Sequence, residues 1–431
     1  MGERYDTVVI GGGSGGLAYA KAAARNGATV ALIERDALGG TCVNRGCVPK
    51  KLLWKTAHHV QEARRAGADA RVDFAALQDR IGDKIAGIRD GFVDDLAEAG
   101  VDLIRGTAAV SGPDDVEVDG RTLAAGRLVL ANGARPAEAG MAGEALTDTS
   151  QDVLSWRSVP ESIVILGGGY IGCEFAAIFA ALGARVTVVD PSDRLLTQFD
   201  ADAVAVATAA LERQGIVVIL GRTPEAVSET GAERAVRLDD GRTLTAARVV
   251  QAVGRTPNVD ALGPISARLE TADSGALAIG DRFDTSLDRV HAIGDAADRL
   301  PLTPVATRDG ETLAAMLFGD GGEAVDLGLV ASAAFTLPPM AQVGSFDGDT
   351  VDTSTGAPLE AGVLGGEEMR EETQFHKLCR RDGRLAGVAL VGEAAPELIA
   401  PFAALVGAGV RDLSNATGVH PSFAEEMLGR S

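Results

Sequence analysis

Large aromatic side chains are scarce in this 431-residue chain. Phe, Trp and Tyr together make up 4%, so Ala, Val, Leu and Gly must do most of the packing. Lysine is rare as well, at six residues, and 61 acidic against 40 basic side chains leave a formal net charge of -21. Such a surface repels nucleic acid and anionic membranes, so no nucleic acid and no membrane is expected as partner. Long hydrophobic runs are missing too. The longest, such as 162–166, are strand-sized and end at glycines, far short of the roughly 20 residues a membrane span needs. The first six residues lead straight into a strand-like run with no signal-peptide pattern, and a cytoplasmic protein is expected. Only four cysteines occur, Cys42, Cys47, Cys173 and Cys379, too few for a disulfide scaffold. No third ligand lies near Cys42 and Cys47, and zinc sites favour tighter spacing, so no metal is expected.

Glycine, by contrast, is abundant. Its 54 residues fall in short clusters without a period, which suits tight turns and phosphate loops rather than collagen-like structure. The length exceeds what one compact core serves, so two or three domains are expected.

Two segments share one pattern. The apolar run 7–10 is followed by Gly11-Gly12-Gly13-Ser14-Gly15-Gly16, an Ala-rich helix to about Asn26, and a strand 29–33 closed by Glu34. The run 163–166 is followed by Gly167-Gly168-Gly169-Tyr170-Ile171-Gly172, a helix to about Leu182, and a strand 185–189 closed by Asp190. A lone G-x-G-x-x-G is weak evidence, but strand, glycine turn, helix, strand and acid at the right spacing occur here twice. The chain is therefore expected to bind two dinucleotides. Gly11 and Gly167 allow the tight turn, Gly13 and Gly169 admit the pyrophosphate, and Gly16 and Gly172 permit close helix packing at the positive helix end.

Between these units, 57–98 reads as two amphipathic helices, and strands follow to a turn at Asn132-Gly133. After the second unit a strand ends at Gly254-Arg255, and a later apolar strand ends at Gly294-Asp295. The last ~100 residues lack a phosphate loop and alternate strand-like and helix-like stretches, which suits a docking domain.

The sharpest local feature is Gly39-Gly40-Thr41-Cys42-Val43-Asn44-Arg45-Gly46-Cys47-Val48-Pro49-Lys50-Lys51. A regular helix would hold the two Cα atoms too far apart for a relaxed bridge, so a disulfide needs a distorted turn, which Gly46 eases. Lys50 and Lys51 are expected to lower the thiol pKa and favour the thiolate. Two inert, buried cysteines in a helix are the plain alternative.

This ordered set resembles the glutathione reductase family of flavoprotein disulfide reductases over essentially the whole chain. The likeness runs from the first glycine loop through the cysteine pair, the stretch 167–174, the stretch 254–258 and Gly294-Asp295 to His420-Pro421-Ser422-Phe423-Ala424-Glu425. It implies an α/β fold: a discontinuous FAD-binding Rossmann-like domain (1–140 and 256–325), an inserted NAD(P)-binding domain (141–255) and a C-terminal α+β dimerisation domain (326–431). The resemblance implies that Gly11, Gly13, Ser14, Gly16, Glu34, Gly40, Thr41, Gly133, Gly294 and Asp295 serve FAD. It likewise implies that Gly167, Gly169, Gly172, Asp190, Gly254 and Arg255 belong to the cofactor-binding set. Cys47 would be the charge-transfer thiolate against the flavin and Cys42 the interchange thiol. Lys50 would pair with Glu174, and Tyr170 would gate the nicotinamide pocket. His420, oriented by Glu425, would be the acid–base, and a homodimer follows because the partner subunit's His420 completes the site. A histidine tuned to neutral pH suits protonation of a leaving thiolate.

Asp190 at the end of the second unit's strand favours NAD(H) over NADP(H), because a carboxylate accepts from both ribose hydroxyls and repels a 2′-phosphate. Arg194 nearby is the competing consideration. The substrate is expected to be a low-molecular-weight, glutathione-disulfide-like molecule. At places where relatives grip glutathione, Lys21 is kept, while Glu311 stands for an arginine and Phe92 for a tyrosine. Dihydrolipoamide dehydrogenase, a flavin transhydrogenase or NADH oxidase, and a non-catalytic redox sensor are the alternatives. Asn132 replaces the threonine common in that turn, without a sequence-level reason.

Overall fold

A computed structural model describes residues 3–357, 373–411 and 413. Helices among them are α1 (Ser14–Arg25), α2 (Gly40–Arg45), α3 (Cys47–Arg65), α4 (Phe74–Ala99), α5 (Ser150–Val153), α6 (Tyr170–Ala181), α7 (Ala201–Arg213), α8 (Thr303–Phe318) and α9 (Ala395–Gly407). None is long and apolar enough to cross a membrane. The chain is α/β with two parallel sheets and a C-terminal antiparallel sheet, the class expected from its sequence.

By contacts the chain forms two units. The first comprises 1–50, 79–137 and 255–325, the second 51–78, 138–254 and 326–431. The first is built on a five-stranded parallel sheet in the order Val290–Ala292, Leu128–Leu130, Thr7–Ile10, Val30–Glu34, Asp102–Arg105. Its inner strands are continuous apolar runs because both faces are covered, one by helices and the other by a smaller sheet. Val9, Leu32 and Val129 pack one face with Tyr19 of α1 and Leu313 of α8. Val8, Ile33 and Leu130 pack the other with Val110, Val116 and Leu123 of a smaller sheet.

The second unit repeats the plan. Its parallel sheet runs Asp148–Thr149, Arg248–Gln251, Ser162–Leu166, Arg185–Asp190, Val217–Leu220. The same unit carries an antiparallel sheet in the order Ser332–Ala334, Met340–Gly344, Arg384–Val391, Gln374–Arg381, Thr350–Gly356, with α9 against it. Lys377 of this sheet reaches α7, where its Nζ lies 2.7 Å from Oδ2 of the capping Asp200 and 2.8 Å from Oδ2 of Asp202. Cys379, outwardly a residue of a polar stretch, is fully buried there. The pair of helices expected over 57–98 is present, but α3 begins ten residues earlier, at Cys47 itself.

Candidate functional site

The two glycine loops are the same structure built twice. Gly11 N donates to Ile33 O at 2.9 Å and Gly167 N to Val189 O at 2.8 Å. Both residues sit in backbone that L side chains rarely adopt, at φ 107° and 113°. A Cβ on Gly16 would fall 1.9 Å from Gly11 O, and one on Gly172 2.0 Å from Gly167 O. No larger residue fits where helix and loop meet. The closing acids do the same work in each copy. Glu34 accepts from Gly12 N and Asp36 N, both at 2.7 Å. Asp190 accepts from Gly168 N at 2.5 Å and Ser192 N at 2.7 Å.

Helices α1 and α6 start at Gly13 and Gly169 with no side-chain cap. Their first-turn N–H groups have no intrahelical acceptor, and the space beside both cap glycines is open: a Cβ would meet only Gly40 Cα at 3.9 Å in the first and nothing within 4 Å in the second. Uncapped N–H groups at a positive helix end, beside open ground, fit a dinucleotide pyrophosphate in each unit.

The dithiol segment belongs to the first unit. Helix α2 ends at Arg45, Gly46 breaks the helical path at φ -155°, ψ -113°, and α3 restarts at Cys47. The break is the distortion the spacing called for. It brings the two sulfurs within hydrogen-bonding reach, and all four cysteines are free thiols. Asn44 fastens α2, its Nδ2 donating to Leu38 O and Gly40 O while its Oδ1 accepts from Arg89 Nε at 2.6 Å.

Cys42 is half-buried and Cys47 exposed. The hydrogen bond to Cys47, then burial, push the Cys42 thiol well above its ordinary value, against the hydroxyls of Thr303 and Ser14, which lower it. On balance the Cys42 thiol is thus raised, where the lysines were expected to lower it. Lys51 turns its ammonium instead onto Phe335 and Trp54, 3.5 and 4.1 Å from the ring centroids, where cation–π attraction holds it. Thr303 Oγ1 lies 3.7 Å from Cys47 Sγ and also serves Cys42. Sequence reasoning had not singled out this hydroxyl, since it comes from the start of α8, 256 residues away.

Arg255 and Asp295 meet beside this segment. Arg255 Nε is 3.7 Å from Asp295 Oδ2, and its Nη2 donates to Thr41 Oγ1 at 3.3 Å and Ala134 O at 2.5 Å. Burial pushes the Asp295 carboxyl up, opposed by that guanidinium. Gly40 and Thr41 open α2, and Gly294 opens the turn carrying Asp295. Gly133 O accepts from Asn258 N at 2.9 Å. Asn132 now has a structural account: its Nδ2 donates to Asn258 O at 2.7 Å, and Asn258 Nδ2 returns a bond to Asn132 O at 2.9 Å. This reciprocal clasp joins two loops of the first unit.

In the second unit, Tyr170 begins α6 and buried Glu174 accepts from Phe335 N at 2.9 Å. Gly254 ends the loop after Arg248–Gln251. Cys173 is buried, with Sγ 3.3 Å from Gly168 O. Lys50 belongs to the first unit and Glu174 to the second. His420 and Glu425 lie outside the described residues. Among the described residues no group of His, Cys, Asp and Glu could hold a metal ion.

A parallel-sheet unit with a dinucleotide loop and a dithiol, joined to a second unit with its own dinucleotide loop, defines a two-nucleotide dithiol oxidoreductase. The pyridine nucleotide-disulphide oxidoreductase model matches residues 5–310. The chain belongs to that family and is an FAD- and NAD(P)H-dependent disulfide oxidoreductase. It is 35% identical to a glutathione reductase of Burkholderia cepacia and 32% to one of Nostoc sp., with 98% of each chain covered in both cases. It is also 32% identical to a dihydrolipoyl dehydrogenase of Haloferax volcanii, over 98% of this chain and 94% of that one.

Proposed function

We propose that the chain is an NADH-preferring reductase of a low-molecular-weight, glutathione-disulfide-like substrate, acting as a homodimer. In this reading 1–140 with 256–325 binds FAD, 141–255 binds the nicotinamide nucleotide, and 326–431 forms the dimer. The observation that carries it is the hydrogen-bonded Cys42–Cys47 pair across the Gly46 break.

FAD, held by the glycine loop of the first unit, would pass the two electrons of NADH to the Cys42–Cys47 disulfide and open it. Cys42 as thiolate then attacks one sulfur of the substrate, forming a mixed disulfide and releasing the first thiolate, which takes a proton from His420 of the partner subunit. Cys47 as thiolate attacks the Cys42 sulfur, releases the second thiol and restores the bridge. The sum is NADH, one proton and one disulfide giving NAD⁺ and two thiols. The raised Cys42 pKa supports an external base, because the hydroxyls of Ser14 and Thr303 lower it without reversing the rise.

Asp190 supports NADH, since its carboxylate would oppose a 2′-phosphate. Arg194 is occupied, donating to Phe199 O at 2.9 Å and Thr197 O at 2.7 Å. Oxidation of NADH and NADPH by the purified yellow protein, with glutathione disulfide and lipoamide in parallel, tests the reading. NADH is expected to be favoured by about tenfold or more in kcat/KM. Turnover of lipoamide alone would move the assignment to dihydrolipoamide oxidation, the second reading, which the similarity to the dihydrolipoyl dehydrogenase supports.

A further inference from the structure

Residues from three helices of the first unit's fold stand beside the dithiol segment. Helix α1 starts at Ser14, whose hydroxyl bonds Cys42, and α8 starts at Thr303, which serves both sulfurs. The two helices pack closely, for a Cβ on Gly310 would meet Gly15 O at 2.4 Å. Seven residues beyond Ser14 the same face of α1 returns at Lys21, about 10 Å along the axis. Glu311 lies eight residues beyond Thr303, about 12 Å along α8. Helix α4 adds Phe92, whose ring edge would stand 3.1 Å from a Cβ on Gly39, three residues before Cys42. An arm of that length on a disulfide attacked by Cys42 is long enough to reach these side chains.

Lys21 and Arg308, the cations beside these positions on α1 and α8, both already have a carboxylate partner. Lys21 Nζ bonds Asp95 Oδ2 at 2.7 Å, with the Phe92 ring centroid 6.0 Å away. Arg308 pairs with Glu311 at 3.7 Å on the exposed face of α8. The hydrogen bond from Lys21 holds the Asp95 carboxyl below its ordinary range, so Asp95 stands there as a carboxylate at neutral pH. An anionic arm reaching Lys21 would exchange one carboxylate for another without gain, and Glu311 would oppose a second one. The field of a chain with net charge -21 acts in the same direction.

Resting on the disulfide-reductase reading above, we infer that these side chains beside the dithiol select disulfides whose arms carry no net negative charge, and that Asp95 and Glu311 set that selection. The substrate resembles glutathione disulfide in reach, with uncharged, zwitterionic or ammonium-bearing arms in place of its net-anionic ones.

Size-matched probes test this. Glutathione disulfide is dianionic at neutral pH, its bis(glycinamide) is neutral and its tetra-amide dicationic. At low salt, kcat/KM is expected to rise about tenfold from the dianionic to the neutral form and not to fall again for the dicationic form. At about 1 M salt the spread collapses. The double variant Asp95→Asn/Glu311→Arg reverses the order, which loss of packing alone would not do. Equal rates for the three forms, a preference for the dianionic form, or an unchanged order in the double variant would overturn the inference. Anaerobic reduction by NADH with no disulfide present separates the two readings. If no long-wavelength charge-transfer absorbance between flavin and thiolate develops, the reductase reading fails and the inference with it. If it develops and no charge order appears, only the charge selectivity is refuted.

Discussion

Thr303 Oγ1 and Ser14 are the polar neighbours that pull the Cys42 thiol down, against Cys47 and burial. Thr303→Val removes one of them and raises that thiol further. The alkaline shift belongs to the rising limb of the kcat/KM pH profile, and a profile that stays in place would refute the role. Cys42→Ser removes the interchange sulfur, so disulfide turnover should fall by about a thousandfold or more. An active Cys42→Ser enzyme would favour the transhydrogenase or oxidase alternative. The cysteine spacing and the need for a break at Gly46 were legible because they depend on five consecutive positions and one helix geometry. The Lys51 cation–π contact was not legible. Phe335 comes from a segment almost three hundred residues away, and nothing local says whether an ammonium faces a sulfur or a ring.

Paired loops make the elements comparable. Gly16→Ala and Gly172→Ala introduce the same clash, 1.9 and 2.0 Å from a backbone oxygen. Gly16→Ala should release FAD and Gly172→Ala should weaken nicotinamide binding with FAD retained, measured by flavin absorbance and NADH titration. The duplication was readable since each strand ends in glycine and each partner strand in an acid, local features at fixed spacing. Long-range fastenings were not. Lys377→Met would leave Asp200, 5% exposed, without its cation, at a cost of about 2 kcal/mol in chemical denaturation. In α8, Asp309 is fully buried with Arg299 Nε at 2.9 Å, and its Oδ1 has no partner among the described residues. Burial pushes its carboxyl up. Arg299→Met should therefore cost about 3 kcal/mol or more, much of it restored by adding Asp309→Leu.

At the scale of the molecule, one buried and one half-buried histidine set an acid limit. Burial lowers the pKa of His291 and of His58, which stacks on Trp54 with ring centroids 5.5 Å apart. The folded chain keeps both neutral, while the unfolded chain takes up protons near pH 6.5. Their contribution is complete above that pH and is lost as pH falls below it. Each removes at most about 1.4 kcal/mol per pH unit. His291→Leu should flatten the decline in melting temperature between neutral pH and about pH 5.

The first unit is assembled from three stretches of chain, and its sheet order has a consequence for the newborn polypeptide. Leu128–Leu130, buried between neighbours in the finished sheet, has Thr7–Ile10 on one side and Val290–Ala292 on the other. Until the ribosome has added the intervening ~160 residues, about 8–30 s of translation, that strand presents an unpaired apolar edge. Nascent chains stalled before Val290 should need a chaperone to stay dispersed, whereas chains extended past Phe318 should not.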